Sequence, residues 1–260
     1  MIETILIFEA LVQYWLIILL FFAVAILYSS VGFGGGSSYL AILALTGILF
    51  IQIRATSLLC NVVVVFGNVL MFHQQKKLNY KKIIPLVFIS IPLAYLGGKL
   101  KINQNLFFVL LGFTLLFAAI TMWISKRIIS SDEQSSKINT TKNASFGGVI
   151  GFISGMVGIG GGIFLAPLLH LTNWDTPKKI AATASFFILV NSIAGLMGQY
   201  SNPDFYIDWN LTSILLITVF IGGQIGSRMS NNYFTPIQLK KATAILIALV
   251  GIRILIKYFF

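Results

Sequence analysis

Negative charge is scarce in this sequence. Of 260 residues only seven are Asp or Glu, against 18 Lys or Arg. There is one cysteine, Cys60, and there are two histidines, His73 and His170. A single cysteine excludes a disulfide framework and a Cys-based metal site. Two distant histidines form no metal-ligand spacing, and the seven carboxylates form no catalytic pair. Charged residues make up 10% of the chain, where soluble domains carry about 25%, so a soluble catalytic domain is excluded by composition. A net charge of +11 does not point to nucleic acid, because the basic residues sit in short connections between apolar runs. Charge placed that way orients a membrane protein. No cofactor is expected.

What is abundant is apolar surface. Hydrophobic residues make up 57% of the chain, and the mean hydropathy is +0.92. The apolar runs recur near the ~20 residues needed to cross a bilayer. The expected fold is an all-α polytopic membrane protein of 8–10 transmembrane segments, two of them broken or re-entrant. Segments are expected at about Ala10 to Ser30, Ser37 to Phe50, Thr56 to Phe72, Ile83 to Gly98 and Leu106 to Ile124. A polar stretch at 126–143 reads as a cytoplasmic linker. Five more segments follow, at about Phe146 to Val157, Ile163 to Leu171, Ile180 to Gln199, Leu211 to Arg228 and Gln238 to Ile256. Thr176 and Pro177 suit an N-cap and a first helical position. The acidic Glu3 and Glu9, with no basic stretch before the first run, argue against a cleaved signal peptide.

The two halves repeat each other. Val31-Gly32-Phe33-Gly34-Gly35-Gly36 returns as Val157-Gly158-Ile159-Gly160-Gly161-Gly162, at an offset of 126. Ala55-Thr56 returns as Ala182-Thr183, and Leu96-Gly97-Gly98-Lys99 as Ile225-Gly226-Ser227-Arg228. The first repeat is therefore placed at 1–125 and the second at 144–260. Five runs is an odd number, so the second repeat is expected to be inverted. Assigning sides puts thirteen Lys and Arg on one face and five on the other, which together make the 18 of the chain. The richer face, with the 73–82 loop and the linker, is expected to be cytoplasmic, and both termini lie outside. In this assignment Arg54 is an anchor on the outer face, or alternatively a charge that attracts anions to the entrance, and Lys82 belongs to the basic loop with Lys76, Lys77 and Lys81. Trp15, Trp123, Trp174 and Trp209 fall at segment ends, as interfacial Trp does.

Glycine clusters in mid-run read as helix breaks, which a bilayer tolerates only where the freed backbone faces protein or a water-filled cavity. Paired breaks in corresponding places mark a transporter binding site. Helices restarting after each break would aim positive N-terminal ends at mid-membrane. No carboxylate is expected inside a segment, so the proton relay usual in proton-coupled pumps has no candidate. Neutral donors remain. The candidate substrate-binding residues are Ser30, Gly32, Gly34, Gly35, Gly36, Ser37, Thr56, Ser57 and Asn61 in the first half. In the second they are Gly158, Gly160, Gly161, Gly162, Thr183, Ser185 and Asn191. The same Ser, Thr and Gly residues also suit plain helix packing. Leucine at Gly35 or Gly161 is expected to stop transport and leave the fold intact.

The two glycine motifs, the Leu165-Ala166-Pro167-Leu168-Leu169 stretch and the paired Ala55-Thr56-Ser57 and Ala182-Thr183-Ala184-Ser185 resemble the sulfite exporter TauE/SafE family, the TSUP permeases. The resemblance covers nearly the whole chain. It implies a multi-pass plasma- or inner-membrane transporter of small sulfur-containing anions such as sulfite and sulfonates. The halves depart from each other at Ala41 against Pro167 and at Ser57 against Ala184. The expected function is a secondary transporter exporting a sulfur oxyanion or organosulfonate by alternating access. Its partners are that anion and the bilayer, and a homodimer is admissible. The alternative is a membrane-embedded binding or assembly subunit that docks a soluble partner at Lys76 to Lys82. A membrane-embedded enzyme ranks third, because no nucleophile-base pair is visible.

Overall fold

A computed structural model of the chain describes residues 2–124, 140–172, 174–229 and 236–258. Among these residues lie ten helices and no strand. They are α1 (Ile2–Ser30), α2 (Gly36–Ala44), α3 (Phe50–Gln74), α4 (Tyr80–Lys99) and α5 (Gln104–Ile124), then α6 (Thr140–Val157), α7 (Gly162–Leu171), α8 (Pro177–Tyr200), α9 (Trp209–Met229) and α10 (Pro236–Tyr258). Six of them carry stretches long and apolar enough to cross a membrane, and Ala144–Val157 is a shorter apolar helix. This is the polytopic membrane fold that the composition demands. Most of the expected linker lies outside the described residues, and α6 begins at Thr140, inside the stretch read as linker.

Short α2 and α7 have 9 and 10 residues. At 1.5 Å per residue each is about 14 Å long, half a bilayer. Neither crosses alone. Break one puts Gly32 against Phe72, near the C-terminal end of α3, while Gly34 and Gly36 lie against Asn61 in mid-helix. The chain thus turns back at the break. Phe21 of α1 stacks on Tyr39 of α2 with ring centroids 4.6 Å apart. Gly35 approaches Val24, so α2 runs antiparallel to α1 and returns toward the end where α3 starts. The first broken pair is a re-entrant hairpin.

Helix directions follow from which residues meet. Phe22 faces Gly222 and Ile26 faces Gly226, so α1 and α9 run parallel. Thr56 meets Thr212 and Val64 meets Gly223, so α3 runs with them. Leu86, Ser90 and Ala94 of α4 face Gly147, Gly151 and Gly155 of α6, so these two are parallel. Lys82 at one end of α4 meets Asp175 just before α8, and Gly98 at the other meets Gly195, so α8 runs with α4. Yet α3 and α8 run opposite ways: Leu58 lies by Gly195, while Phe72 and Ala181 both lie against Gly32. Most packed pairs also have a counterpart when every helix is exchanged for the one five places on. The α1–α9 pair maps onto α6–α4, α3–α9 onto α8–α4, α2–α3 onto α7–α8, and α2–α10 onto α7–α5.

Glycine makes the tightest seams possible. A Cβ at Gly147, Gly151 or Gly155 would meet the opposing carbonyls of Leu86, Ser90 and Ala94. Without a hydrophobic drive between helices in lipid, close backbone approach and dispersion hold such pairs together. Large apolar side chains such as Phe88, Phe117, Ile217 and Leu249 are exposed, as lipid contact allows.

Three expectations change. The second segment ends at Ala44 and not at Phe50, because Leu45 to Gly47 turn the chain, with Gly47 at φ +76°. Phe50 already belongs to α3. Arg54 therefore falls inside α3 and is buried, 4% exposed, where an outer-face anchor was expected. Lys82 is not a solvated loop residue: it is buried in the first turn of α4 and bound to Asp175 at 3.0 Å. Trp174 is buried beneath it, while Trp15, Trp123 and Trp209 are exposed.

Candidate functional site

Each half-helix begins on a glycine whose left-handed backbone residues other than glycine rarely adopt. Gly35 caps α2 at φ 90°, and Gly161 caps α7 at φ 82°. A side chain there would be strained by the positive φ itself. The first N–H groups of any helix lack intrahelical partners. Here those of α2 and α7 start in the middle of the bundle.

The two breaks meet. A Cβ on Gly36 would lie 2.7 Å from the Ile159 carbonyl and against the Asn61 amide. Asn61, fully buried on α3, donates Nδ2 to that carbonyl at 2.9 Å. A Cβ on Gly160 would be 2.7 Å from both Asn61 Nδ2 and Ser192 Oγ. One amide thus touches Gly34 and Gly36 of the first break and Ile159 and Gly160 of the second. Both half-helix N-termini converge on it. Each contributes roughly half a positive charge by its aligned peptide dipoles. Among the described residues, Asp175, Asp204 and Asp208 lie in loops, and Glu3 and Glu9 lie in α1 ahead of its apolar stretch Gln13–Ser30, so no described carboxylate falls within the apolar stretches that carry the breaks. Nor does any described group of His, Cys, Asp or Glu form a metal cluster.

Around this centre, Ser57 donates to the Gly36 carbonyl at 2.9 Å. Ser185 donates to the Gly32 carbonyl of the first break, and also to Ala181 at 3.0 Å. Each long helix thus pins a break with a serine. Ser37 is buried at the start of α2. Asn61 Oδ1, Thr183 Oγ1, Asn191 Oδ1, Ser154 Oγ and Ser192 Oγ are buried with no hydrogen-bond partner among the described residues. Polar groups left that way cost about 1–3 kcal/mol each, and a ligand that satisfies them recovers it.

Other expected residues lie apart. Ser30 bonds back to the Leu27 carbonyl of its own helix at 2.7 Å. Thr56 pairs with Thr212 at 3.0 Å, tying α3 to α9. Gly158 sits on the Arg54 backbone, and Gly162 on Ile188. Asn191 gives Nδ2 to Phe187 of its own helix at 2.8 Å. Asn68 was not anticipated. It accepts from Ser29 Oγ at 2.9 Å and donates to the Phe33 carbonyl at 3.3 Å, so it holds the near side of the first break. An Asn deep in an apolar run was the available signal. Ser192 likewise was visible beside Asn191 in the sequence, but only the fold shows that it faces Gly160.

Comparison with known proteins agrees with the architecture. The family described as sulfite exporter TauE/SafE matches residues 17–254. The chain is similar to the probable membrane transporter protein y4hK of Sinorhizobium fredii, with 31% identity over 241 residues, 90% of this chain and 95% of that protein. It is 26% identical to a probable membrane transporter protein of Methanocaldococcus jannaschii, covering 96% of this chain and 98% of that one. A probable membrane transporter protein of Haemophilus influenzae shares 31% identity over 75% of this chain and 71% of its own length. No solved structure matches the chain.

Proposed function

The chain belongs to the sulfite exporter TauE/SafE family, and on that premise we propose that it is a secondary transporter exporting a small sulfur oxyanion or organosulfonate by alternating access. It is a permease of the cell membrane and not an enzyme. Residues 1–125 and 144–260 are two inverted repeats joined by a cytoplasmic linker. The opposite directions of α3 and α8 support that inversion, as does the matching of packed pairs five helices apart.

One observation carries the reading: both interrupted helices restart beside Asn61, with their N-termini toward each other. Backbone N–H groups, helix dipoles and neutral side-chain donors make a site selective for negative charge. Without a full positive charge at the centre, binding stays weak enough for release. Substrate contacts come from Gly34, Gly36, Ser57, Asn61, Gly160 and the Ser192 hydroxyl. The hairpins move relative to α3 and α8 to open the site to each side in turn.

Purified full-length chain in sealed proteoliposomes should take up labelled sulfite with saturation, and unlabelled methanesulfonate should compete. Liposomes that accumulate neither anion above the protein-free control would refute the proposal.

A further inference from the structure

Arg54 is the strangest residue in the bundle. Burying a guanidinium is tolerated when a carboxylate or an anion pairs with it. Arg54 has neither among the described residues. Its Nη2 reaches the carbonyls of Gly98 and Gly155 at 3.5 Å each, the outer limit of a hydrogen bond. Its Nε has no partner. The other buried cation among the described residues, Lys82, shows the contrast, with a carboxylate at 3.0 Å. The two carbonyls belong to the last turns of α4 and α6, whose dipoles offset part of the charge but leave the Nε–H unused.

A second idle group lies at the end of α8, whose next residues reach the same Gly98 carbonyl. Gln199, in the last turn of α8 and 3% exposed, has both amide atoms unpartnered. Asn202, to whose N–H the Gln199 carbonyl is bonded, donates Nδ2 to the Gly98 carbonyl at 3.4 Å. Arg54 and Asn202 therefore share one acceptor, and Gln199 is the residue one turn before. Arg54 also stands on the line that leads to the centre. Arg54, Ser57 and Asn61 share a face of α3, and Gly158 and Ile159 of the second break lie against that face. Seven residues of helix put Arg54 about 10 Å from Asn61.

We propose that Arg54 and Gln199 form a charged oxyanion site, a second station on the same route as the neutral site at Asn61. This rests on the transport reading only for its place on a route; the site itself is a claim about binding. Arg54 presents its unpartnered Nε–H to one oxygen of the anion, Nη2 exchanges one of its two 3.5 Å carbonyl contacts for a second oxygen, and the Gln199 amide donates to a third or to a substituent. The bidentate edge selects sulfite and sulfonates over chloride, which offers no paired oxygens. The halves are unequal here. Ala181 stands against the first break where Arg54 stands against the second, so of these two corresponding positions only the one at the second break is charged.

The test measures thermal unfolding of the full-length protein in detergent against sodium sulfite, sodium methanesulfonate and sodium chloride, beside proteoliposome uptake. The wild type should show a saturable rise in Tm with both oxyanions and none with chloride beyond ionic strength. Arg54→Gln should raise the half-saturating concentration about 10- to 100-fold. Arg54→Lys, which keeps charge but loses the fork, should fall nearer to Arg54→Gln than to wild type. Gln199→Leu should weaken binding several-fold, and it judges the proposal if Arg54→Gln does not fold. Oxyanion saturation unchanged in the folded variants, or absent from the wild type, overturns the site. Wild type that binds and does not transport keeps the site and sinks the transport reading. Wild-type uptake whose KM and oxyanion preference survive Arg54→Gln keeps transport and sinks the site.

Discussion

Asn61 and Ile188 occupy corresponding places in the two halves. Asn61 lies against Gly34 and Gly36, and Ile188 lies against Gly160 and Gly162. One position carries an amide that bridges the breaks, the other a hydrocarbon that packs one of them. Asn61→Leu should therefore abolish sulfite uptake. It also strips the Ile159 carbonyl of its donor, at about 1–3 kcal/mol of stability. Ile188→Val should cost about 0.5–1.5 kcal/mol and keep uptake. Uptake assays paired with thermal melts separate the two, and equal activity in both variants would remove Asn61 from the site.

Gly36→Ala should be far worse than Gly47→Ala, although both replace one glycine by one methyl. At Gly36 the methyl would meet the Asn61 amide and the Ile159 carbonyl, a backbone atom that cannot step aside. The overpacking costs about 1–3 kcal/mol, and the meeting of the breaks is spread apart, so uptake should be lost. At Gly47 nothing lies within 4 Å, and only φ +76° resists, which costs about 1–2 kcal/mol in the left-handed region. Uptake should survive there. The same geometry overturns the expectation that leucine at Gly35 or Gly161 spares the fold. Gly35 has φ +90° and Val24 at 2.9 Å, Gly161 has φ +82° and Phe187 at 2.8 Å, so either leucine should lower the folded yield in detergent.

The breaks were legible because glycine at mid-run has few other uses in a membrane helix, and because they recur in register. That the breaks would face each other followed from their pairing; that Asn61 would bridge to Ile159 and Gly160 of the other half did not, since it depends on α3 and α8 crossing in opposite directions between them. Arg54 was misplaced for a local reason. Leu49, Phe50, Ile51 and Ile53 continue the apolar run past the turn at Gly47, so periodicity alone joins α2 to the start of α3. Lys82 was misplaced for a distant one. Its partners, the Trp174 carbonyl and Asp175, both at 3.0 Å, are over ninety residues away in the chain, and nothing near Lys82 announces them.

Lys101→Ala should leave stability nearly unchanged. Its pair with Asp204 is 3.0 Å long, but the side chains are 62% and 65% exposed. Solvent screens such pairs to about 0–1 kcal/mol. A drop in Tm as large as that from breaking the buried pair would contradict this.

That buried pair ties the α7–α8 loop of the second half to α4 of the first, and it should make stability depend on pH in one direction. Burial raises the Asp175 carboxyl's pKa, but the Thr176 N–H and the Lys82 and Lys179 ammonium groups more than reverse this and hold it below the ordinary value. A folded pKa below the unfolded one means that the ionised carboxylate stabilises the fold. The contribution is complete above the unfolded value, about 3.9, and is lost as pH falls through the folded value. At pH 7, Asp175→Asn should cost about 3 kcal/mol, because it leaves the Lys82 charge buried without its carboxylate. Melts in detergent from pH 7 down to about 3 should show the wild-type advantage holding to about pH 4 and then closing. Lys82→Met should recover part of the loss in the Asp175→Asn background, since it removes the stranded charge. An advantage that stays constant to the lowest pH, or a double variant no better than Asp175→Asn, would show that the pair does not govern the junction.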